Sequence, residues 1–270
     1  MDIQTFQSKI TALNYDVTFR VMTPEGYEET KEKYPVLYMQ DGQDIFYDED
    51  AYDGHSYRYA EYYSKFAAYL PKVIIVGIDC PPDNTKRTRL YAPYTKHFDV
   101  PEGVYFESDI EGQGEIYLNW LISELKPWID SNYRTKPEAE YTGIGGFSIG
   151  GLLSIYAGMK YTRVFSRVIM LSGAVNIWMD KLLKTMDSCN LDQLKYVYID
   201  TGINNHGRFS TPQDFIDGAN TVYQRLQDYG FDQDHILLRI CEESVVHDHT
   251  SLRPRFPDAI RWVYRDINQE

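Results

Sequence analysis

Residues 141–151 lean toward β structure, break into glycines around a single serine, and continue as a helical pattern from Leu152 to Lys160. Gly146-Phe147-Ser148-Ile149-Gly150 fits G-x-S-x-G, the nucleophile elbow, where a sharp strand-to-helix turn holds serine in strained backbone geometry with its hydroxyl exposed. Such a turn requires a strand before it and a helix after it, so it points to a layered α/β fold. Glycines on either side let the two elements pass closely. The amide of Ile149, at the helix start, points toward the place where a developing oxyanion needs hydrogen bonds. A serine hydroxyl is a poor nucleophile alone, so a base and a group that orients it must come from elsewhere in the chain.

The remaining pattern agrees with that fold class. Residues 16–22 alternate as an early antiparallel strand, and 34–39, 73–78, 141–145, 168–171, 196–199 and 236–240 are short continuous apolar runs. Continuous runs of this length suit a parallel sheet covered on both faces. Helical spacing falls between them at 116–129, 148–159, 214–226 and 257–264. The expectation is an α/β-hydrolase-type arrangement, a mostly parallel central sheet of about eight strands with helices on both faces. Nothing in the composition marks a seam, so residues 1–270 read as a single domain. Two irregular segments, 41–53 and 81–93, should border a pocket, the second because it follows a strand and emerges at the carboxyl edge where open α/β sheets bind ligands.

A formal charge of −13 argues against nucleic acid or an anionic membrane as partner, since phosphate binding needs clustered Lys and Arg. The first ten residues carry no basic segment followed by an apolar one, and no apolar run approaches the roughly 18 residues of a membrane span. A cytoplasmic location is expected. Cys80, Cys189 and Cys241 are odd in number and far apart, which fits neither a disulfide framework nor zinc-ligand spacing, so free thiols and no metal are expected. Twenty-four tyrosines suit half-buried surfaces and pockets, where a ring packs while its hydroxyl stays hydrogen-bonded. The oligomeric state is open, a homo-oligomer included.

The base should follow the last strand. His247, in Ser244-Val245-Val246-His247-Asp248-His249, is the leading candidate, with His249 as its competitor. His55 and His97 precede the serine, His206 lies before the last strand, and His235 stands at a strand entrance. A second oxyanion donor is expected after the strand at 34–39, where Gly42 would let the chain turn the Gln43 amide toward Ser148; a simple Asp-Gly turn is the alternative. The third member is less clear. The loop after the strand at 196–199 offers Asn205 at the natural position of the acid, with Asp200 and Asp214 as the nearest carboxylates and Asp200 preferred. Asparagine can orient an imidazole but cannot offset its charge.

These residues resemble the putative esterase family of α/β-hydrolases, the relatives of esterase D, feruloyl and acetylxylan esterases, siderophore esterases and mycolyl transferases. Residues 34–46, Tyr-Pro-Val-Leu-Tyr-Met-Gln-Asp-Gly-Gln-Asp-Ile-Phe, are similar to the family's PVLYmhDGQnlF segment, and Val76-Gly77-Ile78-Asp79 to its VGID strand end. Arg87, Tyr91 and Pro93 resemble its R-x-x-E-Y-S-P stretch with Leu90 in place of the acid, and Glu124 to Pro127 with Tyr133-Arg134-Thr135 its ELkP…YRT. His247 through Arg255 and Pro257 resembles H-n-E-x-x-W-x-x-R-x-P, with His249 where the family has Glu and Leu252 where it has Trp. The resemblance implies that Ser148 is the nucleophile and His247 the base, and maps the family's acid onto Asn205. It further implies a cofactor-free serine carboxylic-ester hydrolase acting on a small-molecule ester through an acyl-enzyme. An acyltransferase on the same fold and a non-catalytic binding protein are the alternatives.

Overall fold

The computed structural model describes all residues except 101, 104–105, 242–245 and 268–270. Ser244 and Val245, quoted above in the stretch leading to His247, therefore lie outside the described residues. The chain opens with β1 (Asp2–Ile10) and β2 (Tyr15–Thr23), an antiparallel pair in register from Asp2 opposite Thr23 to Ile10 opposite Tyr15. β3 (Val36–Gln40), helix α1 (Tyr59–Phe66), β4 (Ile74–Ile78) and helix α2 (Asn84–Tyr91) follow, then a small ribbon of β5 (Lys96–His97) and β6 (Asp109–Ile110). Next come α3 (Gly114–Trp120), a π-helical turn at Leu121–Leu125, α4 (Lys126–Asn132), β7 (Thr142–Phe147) and α5 (Ile149–Lys160). β8 (Arg167–Leu171), α6 (Met179–Ser188), β9 (Tyr196–Gly202), α7 (Pro212–Asp228), β10 (Ile236–Cys241) and α8 (Leu252–Val263) complete the fold.

Eight strands form one sheet in the order β1-β2-β4-β3-β7-β8-β9-β10, parallel from β4 through β10 and antiparallel at the β1-β2-β4 edge. Strand side chains alternate between faces, and the apolar runs divide accordingly. Val36 and Tyr38, Ile74 and Val76, Val168 and Met170 join one core with α2 to α7. Leu37 and Met39, Ile75, Ile169 and Leu171 join the other, under α1 and α8. Both faces are thus buried, which is why these strands read as continuous rather than alternating apolar runs. No helix among the described residues is long and apolar enough to cross a membrane.

Several boundaries differ from the sequence expectation for local reasons. The single helix expected at 116–129 is α3, the π turn and α4 in succession. α8 begins at Leu252 rather than 257, because Pro254 falls in its first turn, where a missing N–H leaves no bond unmade. α2 lies inside the segment read as irregular; its residues are mostly polar and only Leu90 and Tyr91 are buried. The tyrosines sit mainly in the cores, where Tyr38, Tyr59, Tyr117 and Tyr264 are among the fully buried ones, and not around the cavity described below.

α5 packs so tightly on the sheet that a Cβ added at Gly158 would come within 2.2 Å of Val168 Cγ2. Alanine normally favours a helix interior by about 1 kcal/mol over glycine. Here the clash reverses the sign, and Gly158→Ala is expected to cost about 1–3 kcal/mol. Thermal unfolding should register this as a melting temperature lower by about 2–4 °C per kcal/mol. A raised melting temperature would mean that α5 can lift off β8 without loss.

Candidate active site

β7 ends in the turn that carries Ser148, whose φ of 59° and ψ of −119° lie outside the ordinary regions for a residue with a side chain. Two contacts hold that geometry: the Ser148 amide donates to Leu171 O at 3.0 Å, and its carbonyl accepts from the Ala174 amide at 3.0 Å. A Cβ at Gly146 would lie 2.5 Å from the backbone carbon of Gly150, so only glycine lets strand and helix pass this closely. Ser148 keeps its hydroxyl on the wall of a cavity of about 320 Å³.

The histidine arrives from the other end of the sheet. His247, 99 residues along the chain, brings Nε2 to 2.8 Å from Ser148 Oγ. Its Nδ1 lies 2.7 Å from Asn205 Oδ1, and Asn205 Nδ2 donates to Thr201 Oγ1 at 3.1 Å. The amide thus turns its oxygen to the ring and its nitrogen to the threonine. An oxygen facing Nδ1 requires the proton on Nδ1, which leaves Nε2 as the acceptor for the serine hydroxyl. Phe147 and Phe215 pack against the imidazole at centroid distances of 4.4 and 5.0 Å, and His247 lines the cavity. Burial, with the positive charges of Arg87, Arg255 and His249 adding, pushes the His247 pKa down to about 3.

Asn205 therefore occupies the place for which Asp200 was preferred. Asp200 is fully buried one layer below, where its Oδ1 accepts from the Ser172 amide at 3.2 Å and its Oδ2 lies 3.6 Å from Arg255 Nε. Burial pushes its carboxyl up, opposed by Arg255. The reason is register: Asp200 is still within β9, paired alongside Leu171 and Arg239, and the strand runs on to Gly202 before the chain can turn toward the histidine. Asp214 is also elsewhere. It forms the capping box of α7, where its carboxylate accepts from the Thr211 amide at 2.8 Å and its own amide donates to Thr211 Oγ1 at 3.2 Å.

The turn after β3 sets Gln43 on the cavity wall. Asp41 takes the left-handed conformation at φ 59°, so the expected turn is made there and not at Gly42. Gly42 is required for space: a Cβ on it would lie 2.3 Å from the carbonyl carbon of Gly77 in β4. The turn is clamped from α2. Arg87 donates to both Asp41 oxygens at 2.7 and 2.6 Å, and the Asp41 amide donates to the Tyr91 hydroxyl at 3.1 Å. Burial pushes the Asp41 carboxyl up, but Arg87 outweighs it and holds it below the usual range. The Gln43 side chain is tied back to Cys80, accepting from its amide at 3.0 Å. Neither the Gln43 nor the Ile149 amide is taken up by a hydrogen bond to another described residue.

Both irregular segments reach the cavity, through Asp44 and Tyr52 from the first and Pro81, Arg87 and Thr88 from the second. Phenylalanines form most of its aromatic wall: Phe98, Phe106 and Phe209 pack together at centroid distances of 4.7, 4.9 and 5.4 Å. Sequence reasoning missed these three, along with Phe215 against the imidazole. Phe147 was in view as the second residue of G-x-S-x-G, but nothing in the motif says that it stacks on the base. Among the described residues there is no group of His, Cys, Asp or Glu arranged to hold a metal ion.

Comparison with known proteins agrees with this architecture. The chain is 26% identical over 251 residues to the uncharacterized protein YbbA of Bacillus subtilis, covering 91% of this chain and 92% of that one. It is 24% identical over 175 residues to Esterase Rv1288 of Mycobacterium tuberculosis, covering 65% of this chain and 33% of that protein. Among solved structures, an IroE-like serine hydrolase from Shewanella oneidensis superposes with a TM-score of 0.74 at 22% identity, covering all of this chain and 82% of the other. The enterobactin esterase of Shigella flexneri superposes with a TM-score of 0.75 at 17% identity, covering 99% of this chain and 60% of the other. At such identities the structures establish the shared fold. Residues 10–232 match the family described as "Putative esterase", and the chain belongs to that family of ester-hydrolysing enzymes.

Proposed function

We propose that the chain is a serine carboxylic-ester hydrolase acting through an acyl-enzyme. The observation that carries this reading is the 2.8 Å contact between Ser148 Oγ and His247 Nε2 on the wall of an apolar-lined cavity. Ser148 Oγ attacks the acyl carbonyl while its proton passes to His247 Nε2. The Ile149 and Gln43 amides receive the oxyanion. Collapse of the tetrahedral species breaks the bond to the alcohol, which leaves with the proton from Nε2. Water then gives a proton to the same nitrogen as it attacks the acyl carbon, and collapse frees the acid while Nε2 returns that proton to Ser148 Oγ. Asn205 orients the ring but carries no charge to balance the imidazolium. A small-molecule ester in the cytoplasm is the expected substrate; three unpaired cysteines agree with that compartment.

Purified protein should react covalently with a fluorophosphonate probe and turn over a short p-nitrophenyl ester. Analysis of products formed with added alcohols tests whether water is the acceptor. Absence of labelling in the native protein would overturn the catalytic reading and favour a binding protein on the same fold.

A further inference from the structure

His249, two residues beyond the base, has no part in that relay, yet it lines the same cavity with its side chain only 17% exposed. Its ring stands 5.7 Å from Phe147 and 5.9 Å from Tyr57 by centroid. Nε2 is 3.6 Å from Asp44 Oδ2, and Nδ1 is 3.7 Å from Asp53 Oδ1. These are ion-pair separations, too long for direct hydrogen bonds. Asp44 is buried to within 3% and already accepts from Gln43 Nε2 at 2.6 Å and from the Tyr52 amide at 3.0 Å. A connection therefore runs from the segment that carries His247, through His249 and Asp44, to Gln43, whose backbone amide is an oxyanion donor in the mechanism proposed above.

The acidic group stands on the oxyanion loop, and a side chain able to carry positive charge faces it from the base segment. The two are complementary, and a buried Asp44 carboxylate without a cationic neighbour would be costly.

We propose that Asp44 and His249 are a positioning pair that ties the oxyanion loop to the base-bearing segment, so that the Gln43 amide and the His247 ring keep one common geometry around Ser148. The proposal rests on the hydrolytic reading above. Neither residue touches the reacting atoms; both act through Gln43 and His247. A displacement of about 1 Å in such groups costs up to about 100-fold in rate.

The test uses the full chain with Asp44→Asn, His249→Gln and the transposed double variant Asp44→Asn/His249→Glu, reading kcat and KM on a short p-nitrophenyl ester, fluorophosphonate labelling rate and melting temperature. Loss of an interaction used only in the transition state lowers kcat and leaves KM nearly unchanged. Each single variant should lose about tenfold in kcat with KM within about twofold. The double variant should recover to within about threefold of the native rate, because its new amide on the oxyanion loop can donate to its new carboxylate on the base segment. Singles with native kcat, or a double variant of native stability no faster than the singles, overturn the pairing while native labelling stands. If a single variant is too unstable to assay, the kcat of the stable double variant decides the matter in the same way. Native protein that does not label overturns the hydrolytic reading and the pairing with it.

Discussion

Replacing Ser148 by alanine will lower kcat/KM for a short p-nitrophenyl ester by about 10⁴-fold or more, leaving only what the cavity and the two amides contribute by binding and orientation. The melting temperature should hardly move. Alanine meets the same backbone strain at φ 59° as serine does, and the side chain it replaces is half-buried with a single partner at 2.8 Å. His247→Ala should cost a similar factor. The double variant should be no slower than either single one, since a nucleophile and its base act as a unit and their losses do not add. A Ser148→Ala protein that keeps more than about a tenth of native turnover would remove the serine from the mechanism.

How much of this was legible depended on whether the responsible physics is local. β3, β4, β7 and β8 could be read to within two residues because each is a short apolar run buried on both faces, and β10, a half-buried edge strand, was read from its apolar run alone. β1 could not, since it is an edge strand that is mostly exposed, and α2 could not, since it buries only Leu90 and Tyr91. Ser148 was visible because glycine spacing and a strand-helix change coincide at one point. Its distance from His247 was not a sequence property at all; the sheet order sets it. The preference for Asp200 failed on strand length, since residues 200–202 look like the start of a loop yet continue β9. Gly42 was noticed for conformational freedom, and it proves necessary for the absence of a side chain against Gly77. The phenylalanines of the cavity wall come from three separate segments, and no single window of sequence contains their contact.

Substituting Asn205 by aspartate is expected to move the acid limb of the pH profile upward and to raise the plateau, and the two effects share one cause. In the native site, burial first and then Arg87, Arg255 and His249 push the His247 pKa down to about 3. The imidazole should accordingly stay neutral, and able to accept the serine proton, well below pH 5. The linkage has a definite sign. A histidine whose folded pKa lies below its unfolded value of about 6.5 adds stability above that pH, and the protein loses it as pH falls from about 6.5 toward about 3. A carboxylate in place of Asn205 Oδ1, 2.7 Å from Nδ1, would favour the charged ring and raise its pKa by about 1–3 units. The Thr201 hydroxyl, which now accepts from Asn205 Nδ2, can rotate to donate to the carboxylate, so the ring orientation should survive. Charge on the imidazolium in the transition state would then be balanced, and kcat on the alkaline plateau should rise by about 10- to 100-fold. The same variant should lose activity between pH 6 and 4, where the native protein still works, and should be less stable at pH 8, where a carboxylate replaces a fully buried amide beside a neutral ring. Profiles of kcat/KM from about pH 3.5 to 9 for both proteins decide the matter. Superimposable acid limbs, or a lower plateau in the variant with unchanged melting at pH 6, would mean that Asn205 serves the reaction by something other than holding a neutral imidazole in place.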